Sequence, residues 1–172
     1  MSVLNQIRRN FHYRDRHTFV RLYKQYVRPH LEFAAPAWSP WLAGDIEKIE
    51  KVQEKAVKMV AGLKSREYKE RCSELGLETM EERRHKQDLA LVHKLMQDGP
   101  DASILQRTRE NNEGARTRQV TANGLATQYA RTDVRKYSFA VRVADKWNRL
   151  PESVRTATSK ETFKRELKKV RN

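Results

Sequence analysis

The side chains best suited to chemistry in this chain of 172 residues are basic and aromatic, and they cluster near its beginning. Residues 8–17 interleave four arginines with His12, Tyr13 and His17. Guanidinium groups bind phosphates, and flat rings stack on nucleobases. Residues 131–137 repeat this pattern with Arg131, Arg135, Lys136 and Tyr137. The predicted phosphate-binding residues are Arg8, Arg9, Arg14, Arg16, Arg21, Lys24, Arg131, Arg135 and Lys136.

The net charge supports the same interpretation. The chain has 36 Lys and Arg against 22 Asp and Glu, a formal charge of +14. Residues 1–30 carry seven basic residues and one acidic residue. Residues 31–105 carry 12 basic and 14 acidic residues, and residues 106–172 carry 17 basic and seven acidic residues. Two basic ends around a nearly neutral centre favour polyanions, nucleic acid first and acidic membrane second. The alternative is that the solvated faces are simply rich in Lys and Arg, although solubility needs a smaller excess.

Residue patterns typical of catalysis and metal binding are missing from the sequence. There is no Asp-Asp pair of the kind that holds two metal ions in polymerases, and no phosphate-binding glycine loop. His85 and His93 lie eight residues apart on one predicted helix, more than about 10 Å of rise, too far for one metal ion. Cys72, the single cysteine, is interpreted as a buried structural thiol. We therefore expect no enzyme activity, no metal site and no cofactor.

The elements that must position these side chains are predicted to be helices. Apolar residues recur at helical spacing through most of the chain, most clearly from Asp45 to Ala61. Thr79 and Glu82 form the pattern of a capping box, and Thr158 and Glu161 offer a second one. The fold class is therefore mainly α, a helical bundle of about six helices with the option of a small β-hairpin near 117–128.

The stretch from Asp15 to Trp41 carries three further expectations. Asp15 is predicted to cap a helix whose broad apolar face includes Tyr23 and Tyr26. Pro29 should bring a break, or a new helix with the proline in its first turn. Trp38 and Trp41, each beside a proline or close to one, are predicted to form a packed corner, with a stacking platform for bases as the alternative.

Composition divides the chain into three parts. Residues 1–105 are predicted to form the main bundle, 106–136 a polar linker or hairpin, and 137–172 a basic pair of helices. The Asn123-Gly124 pair is a type I′ hairpin signal. Because two strands alone are marginal in water, this stretch is either a hairpin resting on a neighbour or a flexible linker.

The run LYKQYVRPHLEFAAPAWSPW at 22–41 resembles a region of known proteins. It is similar to the segment that follows the catalytic palm in reverse transcriptases of non-LTR (LINE-type, Jockey and chicken-repeat-like) retrotransposons. The likeness continues at 49–56, 68–71, 75–84, 131–139 and 147–151. It implies a thumb and its C-terminal extension, a helical bundle that grips the primer–template duplex.

Two functions remain open at this point. The first is a non-catalytic nucleic-acid-binding module, a truncated or host-reused retroelement fragment that binds RNA, DNA or an RNA–DNA hybrid mainly through phosphates. The second is a helical protein-interaction or self-association module that uses the orphaned palm-docking surface. That surface would lie around Leu4, Ile7, Phe11, Trp38 or Trp41. In either case we expect a nuclear or cytoplasmic protein in a reducing compartment, not secreted and without a membrane partner.

Overall fold

The fold of the chain is mainly helical, which confirms the predicted class. The structure is a computed structural model that describes residues 2–12, 15–97, 104–105 and 123–170. The chain divides into two compact units, Met1–His85 and Lys86–Asn172. The helices are α1 (Ser2–Asn10), α2 (Arg16–Leu22), a π-helical turn (Tyr23–Val27), α3 (Arg28–Glu32), α4 (Ala35–Trp38), α5 (Ala43–Lys58), α6 (Tyr68–Glu74), α7 (Met80–Gln97), α8 (Asp133–Lys136), α9 (Phe139–Asn148), α10 (Glu152–Arg155) and α11 (Lys160–Lys169).

The core of the first unit is built from the apolar stripes of α1, α2, α5 and α6. Apolar residues three or four apart lie on one side of a helix, so each helix offers one face to its neighbours. The packed residues are Leu4, Ile7, Phe19, Tyr23, Val27, Ala56, Val57, Val60, Leu63, Cys72, Leu75 and Leu77. Leu4 and Ile7 are therefore buried and do not belong to an exposed docking surface, which corrects part of the second hypothesis.

Side-chain caps fix several helix starts. The Asp15 carboxylate accepts a hydrogen bond from the Thr18 backbone N–H at 3.0 Å, and this bond lowers the pKa of Asp15 below its usual value. Thr79 and Glu82 exchange side-chain to backbone hydrogen bonds of 3.2 Å each, so the predicted capping box is confirmed. For α11 the predicted N-cap, Thr158, was wrong by one residue, because the side chain of Ser159 caps the helix.

A π-helical turn joins α2 to α3 where a break was one of the expectations. Pro29 has no N–H to donate, which disturbs the hydrogen bonds of the turn before it. The Arg28 N–H bonds to the Tyr23 carbonyl, five residues back, so the turn includes one extra residue. Pro29 lies in the first turn of α3, as the second alternative proposed. The extra residue moves Tyr26 out of the apolar face to which it was assigned.

The second unit packs around Trp147. Trp147 of α9 is fully buried, and its ring lies 6.1 Å from that of Phe163 of α11. Its Nε1–H donates to the Asn123 carbonyl at 2.8 Å. The core residues are Leu89, Val92, Leu105, Leu125, Val143, Ala144, Trp147, Val154, Ala157 and Phe163. The core thus draws on the C-terminal half of α7 as well as on α9, α10 and α11.

The polar stretch before α8 is anchored to this core at Leu125. The Leu125 backbone N–H and carbonyl both bond to the Asn148 side-chain amide, at 2.9 and 2.7 Å. Asn123 has a positive φ of 53°, whereas Gly124, which a type I′ turn also requires at positive φ, is not in that region. The first strand of the predicted hairpin lies outside the described residues. Within residues 123–128 no regular strand forms, and Leu125 is an isolated β-bridge residue.

The division into units differs from the expected domain boundary at 105. α7 begins in the first unit and ends in the second. The side chains of Leu89 and Val92 pack with Trp147 and Phe163, not with the first core. Residues 86–97 therefore group with the C-terminal helices, because the apolar stripe of α7 meets its partners there.

Candidate nucleic-acid interface

The predicted cations of the first unit lie on neighbouring helices. Arg8 and Arg9 are exposed in the last turn of α1, and Arg21 is exposed near the end of α2. Lys24 is half-buried in the π turn. Since α1 contacts the π turn, the fold brings these four residues into adjacent elements. Arg14 lies outside the described residues.

Arg16 already has a counter-charge. Its guanidinium forms an ion pair with Glu74, which also pairs with Arg66 at 3.3 Å. Arg16 contributes less net positive charge than its type suggests, because a phosphate would have to compete with this carboxylate. Among the predicted phosphate ligands of the first unit, Arg9, Arg21 and Lys24 have no carboxylate partner in the described part of the chain.

The helical stretch from Arg16 to Leu31 contains no acidic residue. The first carboxylate after it, Glu32, is largely buried and paired with Arg28 at 3.6 Å and with Arg83 at 2.9 Å. Two arginines therefore compensate this acid. The exposed residues from Arg16 to Leu31 are themselves positive or neutral, which is the electrostatic pattern of a surface that attracts phosphates.

Aromatic rings are exposed beside these cations. Tyr26 is 55% exposed and Phe33 is 81% exposed. With the extra residue of the π turn, Arg21, Tyr26, His30 and Phe33 follow one another at about one turn each on the solvent side. The opposite side of the same helix is buried through Phe19, Tyr23 and Val27. This exposed side thus carries Arg21 together with the rings of Tyr26, His30 and Phe33, an arrangement that sequence periodicity did not predict.

The tryptophan corner is half-exposed, so the packed-corner interpretation was wrong. Trp38 is 41% exposed and Trp41 is 42% exposed. The Trp38 indole N–H donates to the Phe33 carbonyl at 2.6 Å, and Ala34 adopts a left-handed φ of 49° in the turn between them. These local contacts hold the Trp38 indole next to the Phe33 backbone and leave most of the Phe33 side chain exposed. We call Tyr26, Phe33, Trp38 and Trp41 the aromatic corner.

A buried polar network anchors the helix that carries this surface. Gln53 of α5 is fully buried, and its Oε1 accepts a bond of 2.7 Å from the Tyr23 hydroxyl. Its Nε2 donates to the Tyr68 hydroxyl at 3.0 Å and to the Glu78 carbonyl at 2.8 Å. Burial raises the pKa of Tyr23, so its hydroxyl keeps the proton that it donates. The start of the π turn is thereby fixed to α5.

Glu50 of α5 belongs to the same network. Its carboxylate accepts hydrogen bonds from the Tyr68 hydroxyl and, at 3.0 Å, from the Met80 backbone N–H. Burial, followed by the bond to Glu50, raises the pKa of Tyr68. These contacts join α5, α6 and the start of α7. They explain why the polar side chain of Gln53 lies within the apolar stripe of α5.

The predicted cations of the second unit form a smaller group around α8. Arg131 is exposed, and the Arg135 guanidinium donates to the Gln128 side chain at 3.1 Å. The Lys136 ammonium lies 5.4 Å from the centre of the Tyr137 ring. Both contacts are with neutral groups, so these side chains keep their charge available to an anion.

Groups suited to other chemistry are few in the described residues. No cluster of three or more His, Cys, Asp or Glu residues that could hold a metal ion occurs among them. Cys72 is buried in the first core as expected, and burial raises the pKa of its thiol. His93 is buried against Phe163, with ring centres 4.4 Å apart, and bonds to the Ala157 carbonyl at 2.8 Å. No helix in the described ranges is long and apolar enough to cross a bilayer.

Sequence reasoning missed Tyr26 and Phe33 as surface residues and Gln53 as a core residue. Pro29 was the available signal for the first two, because a proline inside a helical run often shifts the turn before it. A glutamine within the stripe of α5 was the signal for the third.

In comparisons with known proteins, no protein-family model, no curated protein and no solved structure matches this chain.

Proposed function

We propose that this chain is a nucleic-acid-binding module that holds phosphate backbones with the exposed cations of its first unit. The observation that carries the proposal is the helical stretch from Arg16 to Leu31, which contains no acidic residue and whose π turn contacts α1, the helix of Arg8 and Arg9. The resemblance of 22–41 to a retrotransposon thumb supports the same function. The group around Arg135 is proposed as a second phosphate contact. We propose no catalytic step for this module.

Binding should depend steeply on salt. Each phosphate that is neutralised releases condensed counterions, so the logarithm of the binding constant falls linearly with the logarithm of salt concentration. For about five phosphate contacts on a duplex we expect a slope near −4.5. Filter binding or fluorescence anisotropy between about 50 and 200 mM salt measures it. Affinity that does not change over this range would contradict the proposal.

A charge-removal variant tests which residues bind the phosphates. Replacing Arg8, Arg9, Arg21 and Lys24 by Gln should reduce the magnitude of the slope by about 0.9 for each phosphate that is no longer neutralised. The matched control replaces Lys48, Lys51, Lys55 and Lys58 of α5 by Gln, which removes the same formal charge. Lys48 and Lys51 are paired with Asp45 and Glu47 at 2.8 Å, so their loss should leave the slope nearly unchanged. Equal effects of the two variants would show that only total charge matters.

Exposure of the aromatic corner favours a second candidate function. Exposed apolar surface of this kind also occurs at protein interfaces. The alternative is that the chain is a helical module that binds a protein partner or a second copy of itself. Light scattering at several ionic strengths separates the two functions, because self-association through aromatic rings should persist at high salt. A stable dimer that does not bind nucleic acid would support this alternative.

A further inference from the structure

We infer that the aromatic corner takes the faces of unpaired bases, so that the module prefers single-stranded nucleic acid to a duplex of the same length. The inference rests on the proposed function and narrows its substrate class. It concerns the aromatic rings of the corner, which take no part in the proposed phosphate contacts. Base faces are accessible in a single strand, whereas in a duplex they are covered by their neighbours except at the ends.

The backbone that carries the rings is held in place by the fold. Tyr26 follows Tyr23, whose hydroxyl is bonded to the buried Gln53, so the π turn has little freedom to move. Phe33 and Trp38 are linked by the indole bond to the Phe33 carbonyl. A segment whose backbone is already fixed loses less conformational freedom when a base stacks on it than a mobile one does. The positions from which these rings project are therefore set before a ligand arrives.

The positive charge near the aromatic corner favours an unpaired base over a second copy of the protein as its ligand. Arg21 and Lys24 lie on the same helical stretch as Tyr26, and no acid occurs between Arg16 and Leu31. In a symmetric dimer through this surface, the two basic patches would face each other, and like charges repel. A nucleotide strand brings a flat ring and a phosphate together at each step, and so matches a surface that offers both aromatic and basic side chains.

Tryptophan fluorescence provides a direct test in the full chain. Of the three tryptophans, Trp147 is fully buried while Trp38 and Trp41 are half-exposed, so quenching reports on the corner. We expect a thymidine oligonucleotide of about 12 residues to quench the emission, since sites of this kind span about 4–16 nucleotides. A duplex of equal length should bind with salt dependence but quench little.

A double variant tests the two rings that are most exposed. Tyr26→Ala/Phe33→Ala should weaken single-strand binding by roughly tenfold to a hundredfold and leave duplex binding within about twofold. Tyr129→Ala is the matched control, because Tyr129 is 88% exposed in the second unit and should have no effect on either ligand. Thermal unfolding of the double variant should match the parent, since neither ring is part of a core.

The outcomes separate the two proposals. Salt-dependent binding that is equal for single strands and duplexes, and unaffected by the double variant, would overturn the inference and leave the proposed function standing. Loss of all salt-dependent binding in the parent protein would overturn both. If the double variant instead converted a salt-resistant dimer to a monomer, the corner would be a self-association surface and the inference would be wrong.

Discussion

Replacing Asp88 by Ala is expected to destabilise the second unit by about 3–5 kcal/mol, because it leaves the Arg142 guanidinium buried without its counter-charge. The two side chains form a bidentate pair, with Nη2–Oδ1 and Nε–Oδ2 distances of 2.8 and 3.1 Å. Both are largely buried. Arg142 also donates to the Tyr137 carbonyl at 3.1 Å, so the pair joins α7 to α9 and to the end of α8.

Denaturant unfolding measures this effect. Trp147 reports the second unit selectively when Trp38 and Trp41 are replaced by Phe. Asp145→Ala is the control, since Asp145 is an exposed acid on α9 and its loss should change the unfolding free energy by no more than about 0.5 kcal/mol. Adding Arg142→Met to Asp88→Ala should recover part of the loss, because the uncompensated charge is then removed. A change below about 1 kcal/mol for Asp88→Ala alone would contradict the prediction.

Replacing Gln53 by Leu is expected to destabilise the first unit by about 3 kcal/mol. The change removes the acceptor of the Tyr23 hydroxyl and the donor to the Glu78 carbonyl, and each buried group left unpaired costs about 1–3 kcal/mol. The shape and volume of leucine are close to those of glutamine, so little of the effect should come from a cavity. Gln25→Leu, at an exposed position on the π turn, is the matched control and should have almost no effect.

The same variant tests the link between the core and the interface. Tyr23 begins the π turn, so loss of its partner should speed amide hydrogen exchange from Tyr23 to Arg28 more than in α6. Single-strand binding should weaken as the turn loosens, while the salt slope stays near that of the parent protein. Unchanged exchange in the π turn would show that Gln53 stabilises the unit without positioning the aromatic corner.

Local features of the fold followed from the sequence alone. The Asp15 cap, the capping box of Thr79 and Glu82, and the burial of Cys72 were predicted correctly. The caps depend on residues within four positions of one another, and the burial follows from helical periodicity. The positive charge near the beginning of the chain also follows from composition. These properties need no knowledge of which distant segments meet.

The tertiary structure decided which side chains stay in water. Tyr26 was assigned to an apolar face and is exposed, because the π turn before Pro29 shifts the helical register. Trp38 and Trp41 were expected to pack and remain half-exposed. Gln53 is buried because hydroxyl and carbonyl groups from distant segments satisfy its amide. Exposure and polar pairing depend on neighbours far away in the chain, and local periodicity carries no information about them.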